Sequence, residues 1–341
     1  MRNSDNLQYN YVVFNSYDNK HRIDEDGYYY ICTKDLENSS SVKVVTFPLD
    51  TKPRWIKILF DIHNSEIIDK YIHLPLKRLW YPFYFENRFD NPKPLCFVII
   101  NRSLPIDYFK YLKIKYPNCK IVLMHRDLVK VCQECNRELA FNPIFDMEMT
   151  FDKGEAAQYG LPHFNEFESA IDVIREKDME SDVYYAGKAK DRLPMLLEAY
   201  HIFVDFGLKC KFYLTDVPYE KRVKLSGIEY ADSFMSYKEM LYHTVNTRCI
   251  LEINQGSCDG YTSRFLEAVI YGKRLITNNT SIKESKFCTP DKIMVVENIL
   301  DIKPTFVTCG PDFIDYHYND EFSPCHMIER VEEELINKFG K

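Results

Sequence analysis

From Asp182 to Val296 short apolar runs alternate steadily with helical periods, which leaves few folds open to this chain. Val183–Ala186 reads as a strand ending at Gly187. Leu193, Leu196, Leu197, Tyr200, Phe203 and Val204 then recur at helical spacing until Gly207, because residues three and four apart share one helix face. Lys211–Leu214 reads as the next strand, followed by a short helical stretch near Glu220, and Ile228–Tyr230 as a third. Ser236 and Glu239 have the Ser-x-x-Glu spacing of a capping box, whose side chains take up free N–H groups where a helix starts. Cys249–Ile253 reads as a strand, Thr262–Tyr271 as a helix closed by Gly272, and Leu275–Thr277 and Lys292–Val296 as further strands. Strand alternating with helix over about 115 residues predicts a parallel, doubly wound sheet. Such sheets bind ligands at the carboxyl ends of their strands. Function is therefore expected in the residues just after each strand.

The first half is less regular. Val12–Phe14, Tyr28–Cys32, Val42–Thr46, Ile56–Phe60, Phe97–Ile100 and Ile121–Met124 are expected strands, with a helix from Asp107 to Tyr116 between the last two. This again reads as α/β. A length of 341 residues suits two domains: residues 1–175 and 182–315, joined through the polar stretch Asp172–Asp182. Met327–Phe339, within 325–341, has helical spacing; it either crosses back onto the first domain or lies on the surface.

Charge and cysteine usage narrow the function. The chain carries 44 Lys and Arg against 51 Asp and Glu, a net charge of −7. A duplex nucleic-acid binder needs a basic face, so no nucleic-acid partner is expected. No apolar run approaches the roughly 18 residues that span a bilayer. Met1–Asp5 is polar and lacks the apolar core of a signal peptide. Eleven scattered cysteines suit reduced thiols, so a cytoplasmic protein is expected. Cys132-x-x-Cys135 has no second ligand pair at zinc spacing, and Asp24-Glu25-Asp26 follows no clear strand. No metal is expected. The 25 Tyr and 23 Phe fit rings that stack on sugars or bases, and fit equally an AT-rich coding sequence.

The chemistry concentrates in Asn254-Gln255-Gly256-Ser257-Cys258-Asp259-Gly260-Tyr261-Thr262-Ser263-Arg264-Phe265-Leu266-Glu267-Ala268. This segment follows a buried strand and opens a helix, whose unpaired N–H groups and positive dipole end favour a phosphate. Arg264 in the first turn could add a bidentate contact to a diphosphate. Glu267, one turn further in, could accept hydrogen bonds from ribose hydroxyls. Gly187-Lys188-Ala189-Lys190-Asp191-Arg192, after the first strand of this half, offers cations for the same charge.

The spacing Asp259-x7-Glu267 resembles the E-x7-E motif of GT-B glycosyltransferases, with Asp at the first position and Thr262 where the family has a small Gly. Tyr185–Arg192 resembles that family's Gly-x-x-x-(Lys/Arg) loop. With Thr150–Lys153 and Leu275–Asn279, residues 95–300 are similar to bacterial surface-polysaccharide glycosyltransferases. The resemblance implies two Rossmann-like domains facing a central cleft, the first reading an acceptor and the second a nucleotide-sugar donor. It implies metal-independent sugar transfer to a glycan, glycoprotein or lipid-linked acceptor. The donor contacts it implies are Gly187, Lys188, Arg192, Thr215, Tyr237, Gln255, Thr262, Ser263, Arg264 and Glu267, with Asp259 near the transferred sugar. An inverting enzyme also needs a base in the first domain. His63 and Asp127 are the leading candidates, beside Asp61 and His125, all at expected strand ends. Lys77–Phe85 mixes basic and aromatic residues and suits either peripheral contact with the inner membrane face or core with a basic edge. A nucleotide-sugar isomerase of the 2-epimerase kind, or a binding protein without catalysis, would share the donor pocket.

Overall fold

The computed structural model describes residues 7–15, 25–45, 53–63, 74–100, 104–135, 138–254 and 259–340, with isolated positions between 65 and 72. The expectations for Asp24, Thr46 and Gln255 through Cys258 fall outside the described residues.

Two all-parallel sheets form the chain. The first contains β1 (Asn10–Phe14), β2 (Val42–Val45), β3 (Leu95–Ile99), β4 (Lys120–His125) and β5 (Met147–Thr150), in the order β2-β1-β3-β4-β5. Every residue of β1 and β3 is buried, as expected of parallel strands covered on both faces. Val12, Phe14, Phe97 and Ile99 pack with Tyr108, Phe109 and Leu112 of the helix Ile106–Lys115. On the opposite face, Tyr11, Val13, Cys96 and Val98 pack with Met327, Ile328, Val331 and Leu335 of the terminal helix Pro324–Phe339.

The second sheet contains β6 (Ser181–Lys188), β7 (Cys210–Thr215), β8 (Ile228–Ala231), β9 (Thr247–Glu252), β10 (Arg274–Thr277) and β11 (Ile293–Val295), in the order β11-β10-β9-β6-β7-β8. This is the strand order of dinucleotide-binding sheets, with the winding direction reversing between β6 and β9. The two sheets together give the α/β architecture expected of the GT-B fold. Local signals in this half act as read. Ser236 Oγ accepts from the Glu239 N–H at 3.2 Å, and Gly272 ends its helix at φ 66°, a left-handed cap that costs a glycine little.

Two expected strands are helices. Tyr28–Ile31 forms one helical turn, and Arg54–His63 forms a ten-residue helix. A short apolar run has no period that separates strand from buried helix. In Arg54–His63, Ile56 and Phe60, four apart and so on one helix face, reach the first sheet's core. Conversely, β5 was not visible in the sequence. Its four residues are all buried, but Glu148 interrupts the apolar run.

Candidate functional site

The reversal between β6 and β9 opens a crevice at the carboxyl ends of both strands. Arg192 spans it: Nη1 donates to the Ile253 carbonyl at 2.7 Å and Nη2 donates to that of Lys188. Lys188 is exposed, with its ammonium 5.9 Å from the Phe234 ring centroid. The left-handed residue of this loop is Lys190, at φ 46°, while Gly187 lies within β6. Thr215 ends β7, buried, and its hydroxyl has no hydrogen-bond partner; the Asn254 side-chain amide nitrogen is likewise unpartnered. Buried polar atoms are rarely left unpaired.

The helix Ser263–Tyr271 begins at this crevice. Thr262 is its N-cap, accepting from the Phe265 N–H at 3.4 Å and donating to Glu252. Ser263, the first helical residue, is partly exposed. Glu252, at the end of β9, also accepts from the Thr277 hydroxyl at 2.5 Å. Burial pushes its carboxyl up, and the two threonines pull it back. Arg264 donates to the Ala186 carbonyl at 3.1 Å and pairs with Glu267, which is 0% exposed. Thus Glu267 does not face an open pocket. Its second role is toward Tyr237, whose hydroxyl lies 3.0 Å from Glu267 Oε1.

Tyr237 opens a buried polar chain that leads into the first half of the molecule. Its hydroxyl also bonds Glu168, and its ring meets Tyr28 edge-on at 4.9 Å. The Tyr28 hydroxyl accepts from Arg126 Nη2 at 2.6 Å. Arg126 in turn pairs with Glu166, with Nε at 2.9 Å from Oε1. No spacing along the chain marks Tyr28, Arg126, Glu166 and Glu168, because segments distant in sequence bring them together. A second seam lies nearby. Asp152 caps the helix Lys153–Tyr159 and accepts from the Asp259 N–H at 2.8 Å. The Lys153 N–H donates to the Asp259 carbonyl at 2.9 Å. A Cβ on Gly260 would lie 2.7 Å from the Phe151 carbonyl oxygen, so only glycine fits there. The Asp259 side chain is exposed beside this seam.

One hydroxyl between two carboxyls has a single proton to give. A proton on Glu168 completes the set, because burial first, and then the Glu267 charge, push the Glu168 carboxyl well above the ordinary value of 4.5. The folded state therefore binds this proton more tightly than the unfolded chain. The stability it contributes is complete below 4.5, falls as pH rises, and is gone once pH passes the raised folded value. Glu168→Gln keeps a donor without titrating. As pH rises above 4.5, the melting temperature of the unaltered protein should fall relative to that of E168Q. Parallel curves would show that Glu168 is ionised when folded.

The expected bases fare differently. His63 lies on a helix, not after a strand; it accepts from the Trp80 indole N–H at 2.8 Å through Nδ1, and Nε2 lies 2.6 Å from the Pro75 carbonyl. Both ring nitrogens are therefore committed within the fold. Asp61 sits on the same helix. Asp127 does follow a strand, β4, and is exposed. His125 is buried between Cys132 Sγ at 3.1 Å and Glu148 Oε2 at 2.9 Å. Lys77–Phe85 divides: Tyr81, Tyr84 and Phe85 are core, while Leu79 is exposed. Among the described residues no cluster of three or more His, Cys, Asp or Glu could hold a metal ion, and no helix is long and apolar enough to cross a membrane.

No protein-family model matches the sequence, and no curated protein does. Solved structures resemble it at low identity. A putative UDP-N-acetylglucosamine 2-epimerase from Listeria monocytogenes is 12% identical, with 96% of this chain and 97% of that one covered and a TM-score of 0.46. An α-glucosyltransferase solved with UDP and a 13-mer DNA is 10% identical, with 96% and 94% covered and a TM-score of 0.45. A Gap123 glycosylation-associated protein complex from Streptococcus agalactiae is 12% identical over 74% of this chain, with a TM-score of 0.38. This chain spans 53% of that longer one.

Proposed function

We infer that this chain is a nucleotide-sugar-dependent glycosyltransferase acting on a glycan, glycoprotein or lipid-linked acceptor in surface-polysaccharide or glycoconjugate assembly. The observation that carries this reading is the crevice at the β6/β9 reversal. There an exposed Lys188, the unpartnered Thr215 hydroxyl and the start of the helix Ser263–Tyr271 converge at the strand ends. When the bond between the anomeric carbon and the diphosphate breaks, negative charge collects on the leaving phosphate. Lys188, the part-exposed Arg264 and the free N–H groups of the helix start are suited to meet that charge without a metal. Thr215 is suited to a polar atom of the nucleoside. Glu267 acts as a positioning residue, holding Arg264 and Tyr237 from behind the crevice. Asp127 is the candidate base on the acceptor side, and Asp259 lies where the two halves meet.

A thermal-shift screen against UDP, GDP, ADP, CMP, dTDP and their sugars tests this. A ligand at about 100 times its dissociation constant stabilises the folded state by about 2.7 kcal/mol. One nucleotide family should raise the melting temperature, and Lys188→Ala should diminish that rise. No rise with any nucleotide would overturn the reading. Conversion of the donor sugar without acceptor would instead indicate the isomerase.

A further inference from the structure

The residues flanking Glu168 fix it to the first half of the molecule. Phe167 packs in the core of the first sheet, and the Ser169 hydroxyl donates to the Cys32 carbonyl at 3.3 Å and accepts from the Asp35 N–H at 2.9 Å. Tyr237 and Glu267 stand on two helices of the second half. The Tyr237 hydroxyl therefore crosses the seam when it bonds Glu168, and it has one proton for the two carboxyls it touches. The other Glu168 oxygen, Oε2, is buried and meets no hydrogen-bond partner among the described residues. An ionised carboxyl would hold charge there on an oxygen that neither water nor protein solvates, at a high cost in free energy. A neutral acid fits instead: Glu168 donates to the Tyr237 oxygen, and Tyr237 donates to Glu267. The cations nearby are engaged elsewhere, Arg126 with Glu166 and Arg264 with Glu267. Tyr28, Cys32, Tyr237 and Tyr271 also face Glu168. Burial pushes the Cys32 thiol up to about 11 and the three phenols above their ordinary 10, so all four keep their protons well into the alkaline range.

We propose that the Glu168–Tyr237 contact is a proton-dependent latch between the two halves. With the proton in place the seam is closed. Its loss leaves Glu168 and Glu267 as like charges on either side of one hydroxyl in a dry site, and parting the two helices from Glu168 returns water to both. Little else holds this seam. Lys238, beside Tyr237, donates its N–H to the Asp26 carbonyl at 3.0 Å, and the Lys238–Asp26 ion pair is 61% and 50% exposed, where such pairs contribute little. The Tyr28–Tyr237 ring contact lies in the same seam and opens with it. The hydrogen bonds between Asp152, Lys153 and Asp259 share none of this proton, so they keep the halves attached and the opening is local. The direction follows from the raised carboxyl: the latch is complete below 4.5 and loosens as pH rises towards the folded value. The latch rests on the transfer reading only for its purpose, which is regulation of the crevice. Arg264 there is tied through Glu267 to the same hydroxyl.

The test is amide hydrogen exchange of the full chain without ligand at about pH 5, 6 and 7, corrected for the intrinsic pH dependence of exchange. One proton released on opening makes the open fraction grow about tenfold per pH unit above 4.5, until pH passes the folded value. Protection should fall by that factor at the Lys238 N–H, which bonds Asp26 across the seam, and at the Ile31 and Cys32 N–H groups of the adjoining turn. Strands β3 and β9 should keep theirs. Glu168→Gln keeps a donor that does not titrate, so its seam should stay protected at all three values. Tyr237→Phe removes the hydroxyl, and its seam should be poorly protected and flat with pH; it serves as the second variant should Glu168→Gln not fold. Flat protection in the unaltered protein, the same fall in either variant, or an equal loss in β3 and β9, which marks global unfolding, would each overturn the latch. The transfer reading is decided separately, by the nucleotide screen, and its failure leaves these exchange results unchanged.

Discussion

Glu267→Ala should destabilise the protein by about 3–5 kcal/mol, the usual cost of leaving one member of a buried ion pair without the other. Glu267 is fully buried and its carboxylate is the ionic partner of Arg264. It also lies 3.0 Å from the Tyr237 hydroxyl and 3.5 Å from the Thr244 hydroxyl. Truncation leaves a guanidinium in a site where its side chain is 17% exposed, together with two hydroxyls that have lost an acceptor. Glu267→Gln keeps the shape and one acceptor oxygen, so its cost should be smaller. Chemical denaturation of both variants measures the difference. An alanine variant within about 0.5 kcal/mol of the unaltered protein would show that Arg264 finds another partner or water. Because Arg264 also reaches the Ala186 carbonyl, two residues before the end of β6, E267A should weaken nucleotide binding as well, by letting Arg264 move from the crevice.

Arg126→Ala should cost a similar amount, about 3–5 kcal/mol, for the same physical reason on the other half of the molecule. The Arg126 and Glu166 side chains are 7% and 8% exposed. The guanidinium stacks 4.2 Å from the Phe167 ring centroid and donates to the Tyr28 hydroxyl. Alanine removes the stack, the Tyr28 contact and the countercharge together. Arg126→Met combined with Glu166→Leu removes both charges and should recover most of the loss, since well-packed apolar pairs often match buried ion pairs. If the double replacement is as unstable as R126A, the stack and the Tyr28 hydrogen bond, not the charge left on Glu166, carry the energy. Tyr28 meets Tyr237 edge-on, so this pair also braces the contact between the two halves.

Much of the second half could be read from its residues alone. The periods, the Ser236 cap and the Gly272 stop are local signals, each fixed by backbone chemistry within a few residues. Their structural counterparts fall at the expected places. The position of Arg264 on the first turn after a buried strand followed from the same local rules. In the first half, local signals were weaker than packing. Tyr28–Ile31 has three successive tyrosines, a strand-like composition, yet it forms a helical turn in which Tyr28 meets Arg126 and Tyr237. The His63 candidacy rested on a strand that is a helix.

The class of fold, the alternation of the second sheet, and which strand ends bear charge and hydroxyls are therefore legible along the chain. Those follow from periodicity, capping and turn chemistry, which act over neighbouring residues. The order of the strands, and with it the place where the winding reverses and the crevice opens, emerges from the packing of the whole fold. That packing alone turned Glu267 from a presumed pocket wall into a buried partner of Arg264, and brought Glu168, 99 positions away in the chain, to the same hydroxyl. Those contacts arise where desolvation and pairing across distant segments outweigh any local preference, and no spacing along the chain encodes them.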